Sequence, residues 1–135
     1  MSTQCGIAIK TIEGYETIYV HSDGYPAYMW PMLTKNYNSE ELATKLVSLG
    51  DASYIEERLE PTPDVIHVFG APEDGVCVFY HRDRGEPWSN CSTTMYKTKK
   101  EMFNSFYYSY IWEDGQWKAY AGGRKVYFDE DTSVF

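Results

Sequence analysis

Two short runs in this chain gather side chains able to bind or react: His21-Ser22-Asp23-Gly24-Tyr25-Pro26 and Tyr80-His81-Arg82-Asp83-Arg84-Gly85-Glu86. Each places an imidazole two residues before a carboxylate, and the second adds two guanidiniums. Each follows an apolar, strand-like stretch, where a rigid scaffold can hold a side chain that ligands still reach. Read as extended chain, the second run sends Arg82 and Arg84 the same way, as a fork for phosphate or carboxylate. Tyr25 in the first run and Tyr80 and Trp88 around the second offer faces on which a base can stack. His21 and Asp23 then bond ribose or base edges, and His81 completes the ligand-binding set.

Plainer readings stand beside this one. Asx-turn chemistry accounts for Asp23, Gly24 and Pro26, with the Asp23 carboxylate bonding nearby backbone N–H groups, but it leaves His21 and Tyr25 unexplained. A solvated turn with ion pairs worth under about 1 kcal/mol accounts for much of the second run. If the two loops met, His21-x-Asp23 and His81-x-Asp83 could hold a divalent metal and activate water, although metal sites usually show more specific ligand spacing. Paired histidines flanking a phosphate would be the metal-free alternative.

Other signatures are weaker. There is no glycine-rich phosphate loop and no serine elbow. Cys91, within Asn90-Cys91-Ser92, lacks an evident base and is expected to be structural. His67, inside an apolar run, is expected to be a satisfied structural histidine. No catalytic residue, metal or cofactor is assigned.

The elements that must position these runs follow from pattern. Residues 4–10 and 15–21 read as a hairpin turning at Glu13-Gly14. Asp23-Gly24 favours a turn with positive φ, and Pro26 can open a helix that Pro31 should break or restart. Residues 39–49 form the clearest helix, with Asn38 as cap, Leu42, Leu46 and Leu49 on one face, and Gly50 at its end. A helical turn is expected around 54–59, a strand within 65–69, and a buried strand over 76–80. Residues 85–94 read as loop and 97–106 as helix. A meander follows: 107–112, a turn at 113–115, 116–121, a turn at 122–123, and 126–128. The resulting fold class is α+β with a mostly antiparallel sheet, two or three helices and a C-terminal β-meander.

The chain has 135 residues, which fits a single domain over 1–128 followed by an acidic tail, 129–135. Aromatics reach 17%, a share that suits half-exposed sheets and binding surfaces. The formal net charge of -8 argues against a nucleic-acid backbone as direct partner. The same charge lets a protein imitate nucleic acid in a basic groove. The cysteines number three, with no C-x-x-C spacing, and no secretory segment is visible, so reduced thiols are expected. No apolar stretch of about 18 residues marks a membrane span.

Ile18 to Pro26, Leu49-Gly50-Asp51-Ala52-Ser53, Tyr80 to Glu86 and the Trp112 to Tyr120 hairpin together resemble a family of small, mostly uncharacterised proteins encoded by bacteriophages, prophages and mobile elements. The likeness spans nearly the whole chain, and the H-x-D-G-Y-P and H-R-D-R-G-E motifs carry it. The chain departs from that pattern around Val20, Ser22 and Met29-Trp30-Pro31. The resemblance implies a phage origin and action in the cytoplasm of a bacterial host. It brings no established activity to transfer residue by residue.

The leading expectation is a non-enzymatic binding protein that antagonises host defence by sequestering a nucleotide-type immune signal. A homo-oligomer would enclose such a ligand better than one small surface. The alternative is an acidic protein-binding inhibitor of a host nuclease or defence effector. A small phosphodiesterase or hydrolase using the two H-x-D pairs ranks third.

Overall fold

Strand β1 (Cys5–Thr11) reads as an unbroken apolar run because it is covered on both faces. Cys5, Ile7 and Ile9 belong to the larger core, whereas Ala8 belongs to a smaller one on the other side. The computed structural model describes residues 2–128, so the acidic tail lies outside the described residues. Strand β1 pairs antiparallel with β2 (Gly14–Val20) and parallel with β6 (Tyr108–Glu113). Beyond β6 come β7 (Gln116–Ala121) and β8 (Arg124–Val126), joined as an antiparallel meander. Beyond β2 come β3 (Ala52–Tyr54), parallel to it, and β4 (Val78–Phe79), antiparallel to β3. The order is β4-β3-β2-β1-β6-β7-β8, and β5 (Thr94–Tyr96) pairs with β2 off this path.

Helices cover both faces. Helix α1 (Pro26–Asn36) and α2 (Glu40–Ser48) supply Met29, Leu33, Ala43, Leu46 and Val47 to the larger core. Helix α5 (Lys99–Ser105) sets Met102 against Ala8, Tyr15, Ile111 and Tyr120. A capping box between Thr98 and Glu101 starts it. The architecture is therefore α+β with a mostly antiparallel sheet, and among the described residues the helices are five, two of them single turns: α3 (Tyr80–Arg84) and α4 (Trp88–Cys91). Among the described residues no helix is long and apolar enough to cross a membrane.

Several elements differ from the sequence-based expectation, each for a local reason. Helix α1 passes through Pro31 unbroken. Pro31 cannot bond the carbonyl of Ala27, but Ala27 is exposed, so water can satisfy that group. Ser39, not Asn38, caps α2, its hydroxyl accepting from Leu42 N–H at 3.1 Å. Residues 54–59 form no helix, because Arg58 N–H donates to Gly75 O and Cys77 N–H donates to Arg58 O. Residues 65–69 form a loop instead of a strand, with Val65, Ile66, Val68 and Phe69 exposed. The strand expected over 76–80 shortens to Val78–Phe79, although Val76 and Cys77 are buried with it. The last strand sits at Arg124–Val126, ahead of the expected 126–128.

Candidate functional site

The second polar run is not extended. It forms α3, and the Asp83 carboxylate accepts the Phe79 N–H at 2.8 Å across the first turn. On a helix, residues two apart point about 200° apart, so Arg82 and Arg84 diverge. Arg82 turns inward. Its Nε and Nη2 donate to Asp83 at 2.8 and 3.0 Å, and its Nη1 and Nη2 donate to the carbonyls of Leu59 and Cys77. The expected two-guanidinium fork is therefore corrected: Arg82 is committed to Asp83 and two carbonyls and is not offered to a ligand phosphate.

Arg84 lies outward. Its guanidinium carbon sits 4.1 Å from the Phe69 ring centroid and 4.5 Å from that of Tyr80. Its Nη1 donates to Ser53 Oγ at 3.1 Å, and Nε and Nη2 make no hydrogen bond among the described residues.

Asp83 is buried against Arg82 and lies 3.4 Å from His67 Nε2. His67 Nε2–H donates to Cys77 O at 2.8 Å, and Nδ1 accepts from Glu73 N–H at 3.0 Å. His67 is thus the satisfied structural histidine expected. With Asp83 spent on Arg82 and Phe79, the two H-x-D pairs cannot share a metal. Among the described residues no three His, Cys, Asp or Glu side chains are set to hold one.

The two runs nevertheless meet, bridged by Tyr19 just outside the expected set, which reaches His21 of the first run and Tyr80 of the second. Tyr19, two residues before His21 on β2, bonds His21 Nδ1 through its hydroxyl at 2.6 Å. The Tyr19 ring centroid also lies 6.5 Å from that of Tyr80. The parallel pairing of β2 with β3, and the antiparallel pairing of β3 with β4, bring these strand ends side by side. A cavity of about 270 Å³ opens there, lined by Tyr19, Asp51, Tyr80, Glu86, Asn90 and Cys91.

Asp51 holds this cavity together. Its backbone N–H donates to Cys91 O, its carbonyl accepts from Tyr80 N–H, and its Oδ1 accepts from Tyr19 N–H at 2.9 Å. Burial pushes its carboxyl above the usual aspartate range, against the lowering effect of the Tyr19 bond. The Tyr19 hydroxyl is pushed up as well, first by burial and then by Tyr80 and Asp51. Burial, Asp51 and Glu86 push the Cys91 thiol up, which makes it a poor nucleophile.

Gly50 makes the close packing possible. Its φ is +83°, and a Cβ there would stand 2.5 Å from Cys91 O and 2.8 Å from the Trp88 ring. Trp88 therefore packs its ring against Gly50 outside the cavity lining, with the His81 ring edge-on to it at 5.5 Å. His81 Nδ1–H donates to Glu86 O at 2.8 Å and so pins the loop that carries Glu86.

The remaining expected residues stand apart from the cavity lining. Asp23 has φ +59°, as the Asp-Gly reading required, but its carboxylate accepts no hydrogen bond among the described residues. The turn is held instead by Gly24, whose N–H donates to Thr3 O and whose carbonyl accepts from Tyr110 at 2.7 Å. Tyr25 is exposed beside Tyr28, with ring centroids 6.2 Å apart. Glu86 lies in the second run but outside the expected ligand-binding set, and Tyr19, Asp51 and Asn90 are site residues to which the sequence pattern assigns no role. The only local trace is Asp51 directly after a helix-ending glycine. No protein-family model, curated protein or solved structure matches the chain.

Proposed function

We propose that the chain is a non-enzymatic binding protein for a nucleotide-type ligand, serving a phage or mobile element against a defence signal in the cytoplasm of its bacterial host. One observation carries this reading: Tyr19, bonded to His21, and Tyr80, beneath the Arg84 guanidinium, line the same cavity. The base enters that cavity against aromatic faces. Arg84 and the outer nitrogen of His21 meet the phosphate and ribose outside it. The likeness of the two motifs to phage-encoded proteins supports the biological setting. Calorimetry against cyclic nucleotides and ADP-ribose derivatives tests the reading. Saturable binding of at least one is expected, and absence of heat across the panel refutes it.

A second reading, an inhibitor that docks on a host protein, is favoured by the loop at 65–69. Ile66 is 75% exposed, and Val65, Val68 and Phe69 are exposed beside it. Glu56, Glu57, Glu60, Asp64, Glu73 and Asp74 occupy the same stretch of chain against the single Arg58. An apolar tip with an acidic rim suits a basic groove with an apolar socket. If that is the interface, Ile66→Ser and reversal of Glu60 and Asp64 to lysine each abolish antagonism of host defence while nucleotide binding persists.

A further inference from the structure

The cavity beside Tyr19 presents one kind of polar chemistry more than any other. Asp51 and Glu86 bring carboxylates to it, and an ionised carboxylate only accepts hydrogen bonds. Asp51 Oδ1 already accepts the Tyr19 N–H, whereas Oδ2 has no hydrogen-bond partner among the described residues. Nor, among the described residues, does any Lys, Arg or His form an ion pair with Asp51 or Glu86. A half-buried carboxylate without a cation gains most from a ligand that brings N–H donors. The Asn90 amide adds one further acceptor and a donor.

Size and shape narrow the ligand. About 270 Å³ suits one planar ring system, and the cavity is open to solvent, so a sugar and phosphates extend outward from it. Tyr19 and Tyr80, whose ring centroids lie 6.5 Å apart, give that ring an aromatic lining to pack against. The negative phosphates stay outside, toward Arg84, whose guanidinium stacks on the Tyr80 ring and whose Nε and Nη2 make no hydrogen bond among the described residues.

Resting on the nucleotide reading above, we infer that the cavity between Tyr19, Asp51 and Tyr80 selects guanine, held by Asp51 through its adjacent N1–H and N2–H donors. The other bases put an acceptor where guanine has a donor. Adenine and cytosine set a ring nitrogen beside their amino group, and uracil flanks its single N–H with two carbonyls. Each of those acceptors would face a carboxylate and be repelled. Guanine alone meets Asp51 with donors at both positions.

Calorimetry on the unmodified protein with GMP, IMP, AMP and UMP reads this directly. GMP is expected to bind most tightly. IMP, which lacks the 2-amino group, should bind roughly ten- to a hundredfold more weakly, as for loss of one hydrogen bond to a charged group. AMP and UMP should be weaker still. In Asp51→Asn the amide oxygen can keep the Tyr19 bond and turn its NH2 to the cavity. GMP affinity should then fall at least tenfold, while XMP, with a carbonyl in place of the amino group, should gain. Equal affinity for GMP and AMP overturns the guanine assignment but leaves nucleotide binding standing. Silence with every nucleotide removes both. Binding of agmatine without GMP removes both as well and marks a site for organic cations. Because the nucleotide panel uses the native chain, a folding defect in the Asp51→Asn variant cannot mask the result.

Discussion

Arg82 and Asp83, adjacent in the chain, form a two-point ion pair inside the protein, with Nε and Nη2 at 2.8 and 3.0 Å from the two carboxylate oxygens. Asp83 also holds the Phe79 N–H, so the pair ties α3 to β4. Arg82→Ala strands a buried carboxylate and is expected to cost about 3–5 kcal/mol in urea unfolding. Arg84→Ala removes only ring stacking and one bond to Ser53, so it should cost about 1 kcal/mol. The roles invert for ligand: Arg84→Ala weakens nucleotide binding, whereas the folded fraction of Arg82→Ala keeps it.

Gly50→Ala adds a Cβ 2.5 Å from Cys91 O at a residue with φ +83°. Backbone strain alone is worth about 1–3 kcal/mol, and the contact with Trp88 adds to it. A lowered thermal midpoint is expected together with lost ligand binding, since Cys91 lines the cavity.

Asp51 gives a pH-dependent term of definite sign. Burial raises its carboxyl above the ordinary value of 3.8, so the folded chain holds that proton more tightly than the unfolded one. The favourable contribution is complete below 3.8 and is lost as pH rises through the raised value. Asp51→Asn should therefore melt above the parent at pH 7, and the difference should vanish on acidification below that ordinary value. Scanning calorimetry across this window decides; a variant that melts lower at pH 7 contradicts the assignment.

Glu73 runs the other way. The hydroxyl and N–H of Thr62, then Arg58, hold its carboxyl at about 2, down from 4.5. Its contribution is present above 4.5 and lost as pH falls toward about 2. Amides over 61–75 should lose exchange protection in that interval, after correction for intrinsic rates. Glu73→Gln should remove the dependence.

Much of the fold is legible in local chemistry. The β6–β7 hairpin turns at Asp114-Gly115, with φ +56° and +74°, the backbone that a tight two-residue turn demands. Strand-forming residues around the Glu13-Gly14 turn locate β1 and β2, and the spacing of apolar residues locates α2 and α5, each to within a few residues. The candidate site is less legible. Tyr80 to Glu86 carries no helical hydrophobic period, and its one-turn helix arises because Asp83 reaches back to Phe79 N–H. That bond and the inward turn of Arg82 need Leu59, His67 and Cys77, supplied from elsewhere in the chain. Asp51 gives almost no signal alone, because its role depends on Tyr19, Tyr80 and Cys91 arriving from three other segments.

The position of β1 carries a consequence for biosynthesis. Ile7 and Ala8 stand in register with Tyr110 and Ile111, so the first-made of the described strands is flanked on one side by one made long after it. A ribosome therefore has to release β2 through α5 before the middle of the sheet can close. Until β6 emerges, the hairpin of β1 and β2 exposes an unpaired apolar edge. Chaperone dependence during overexpression, relieved by slower synthesis, is the expected mark of that order.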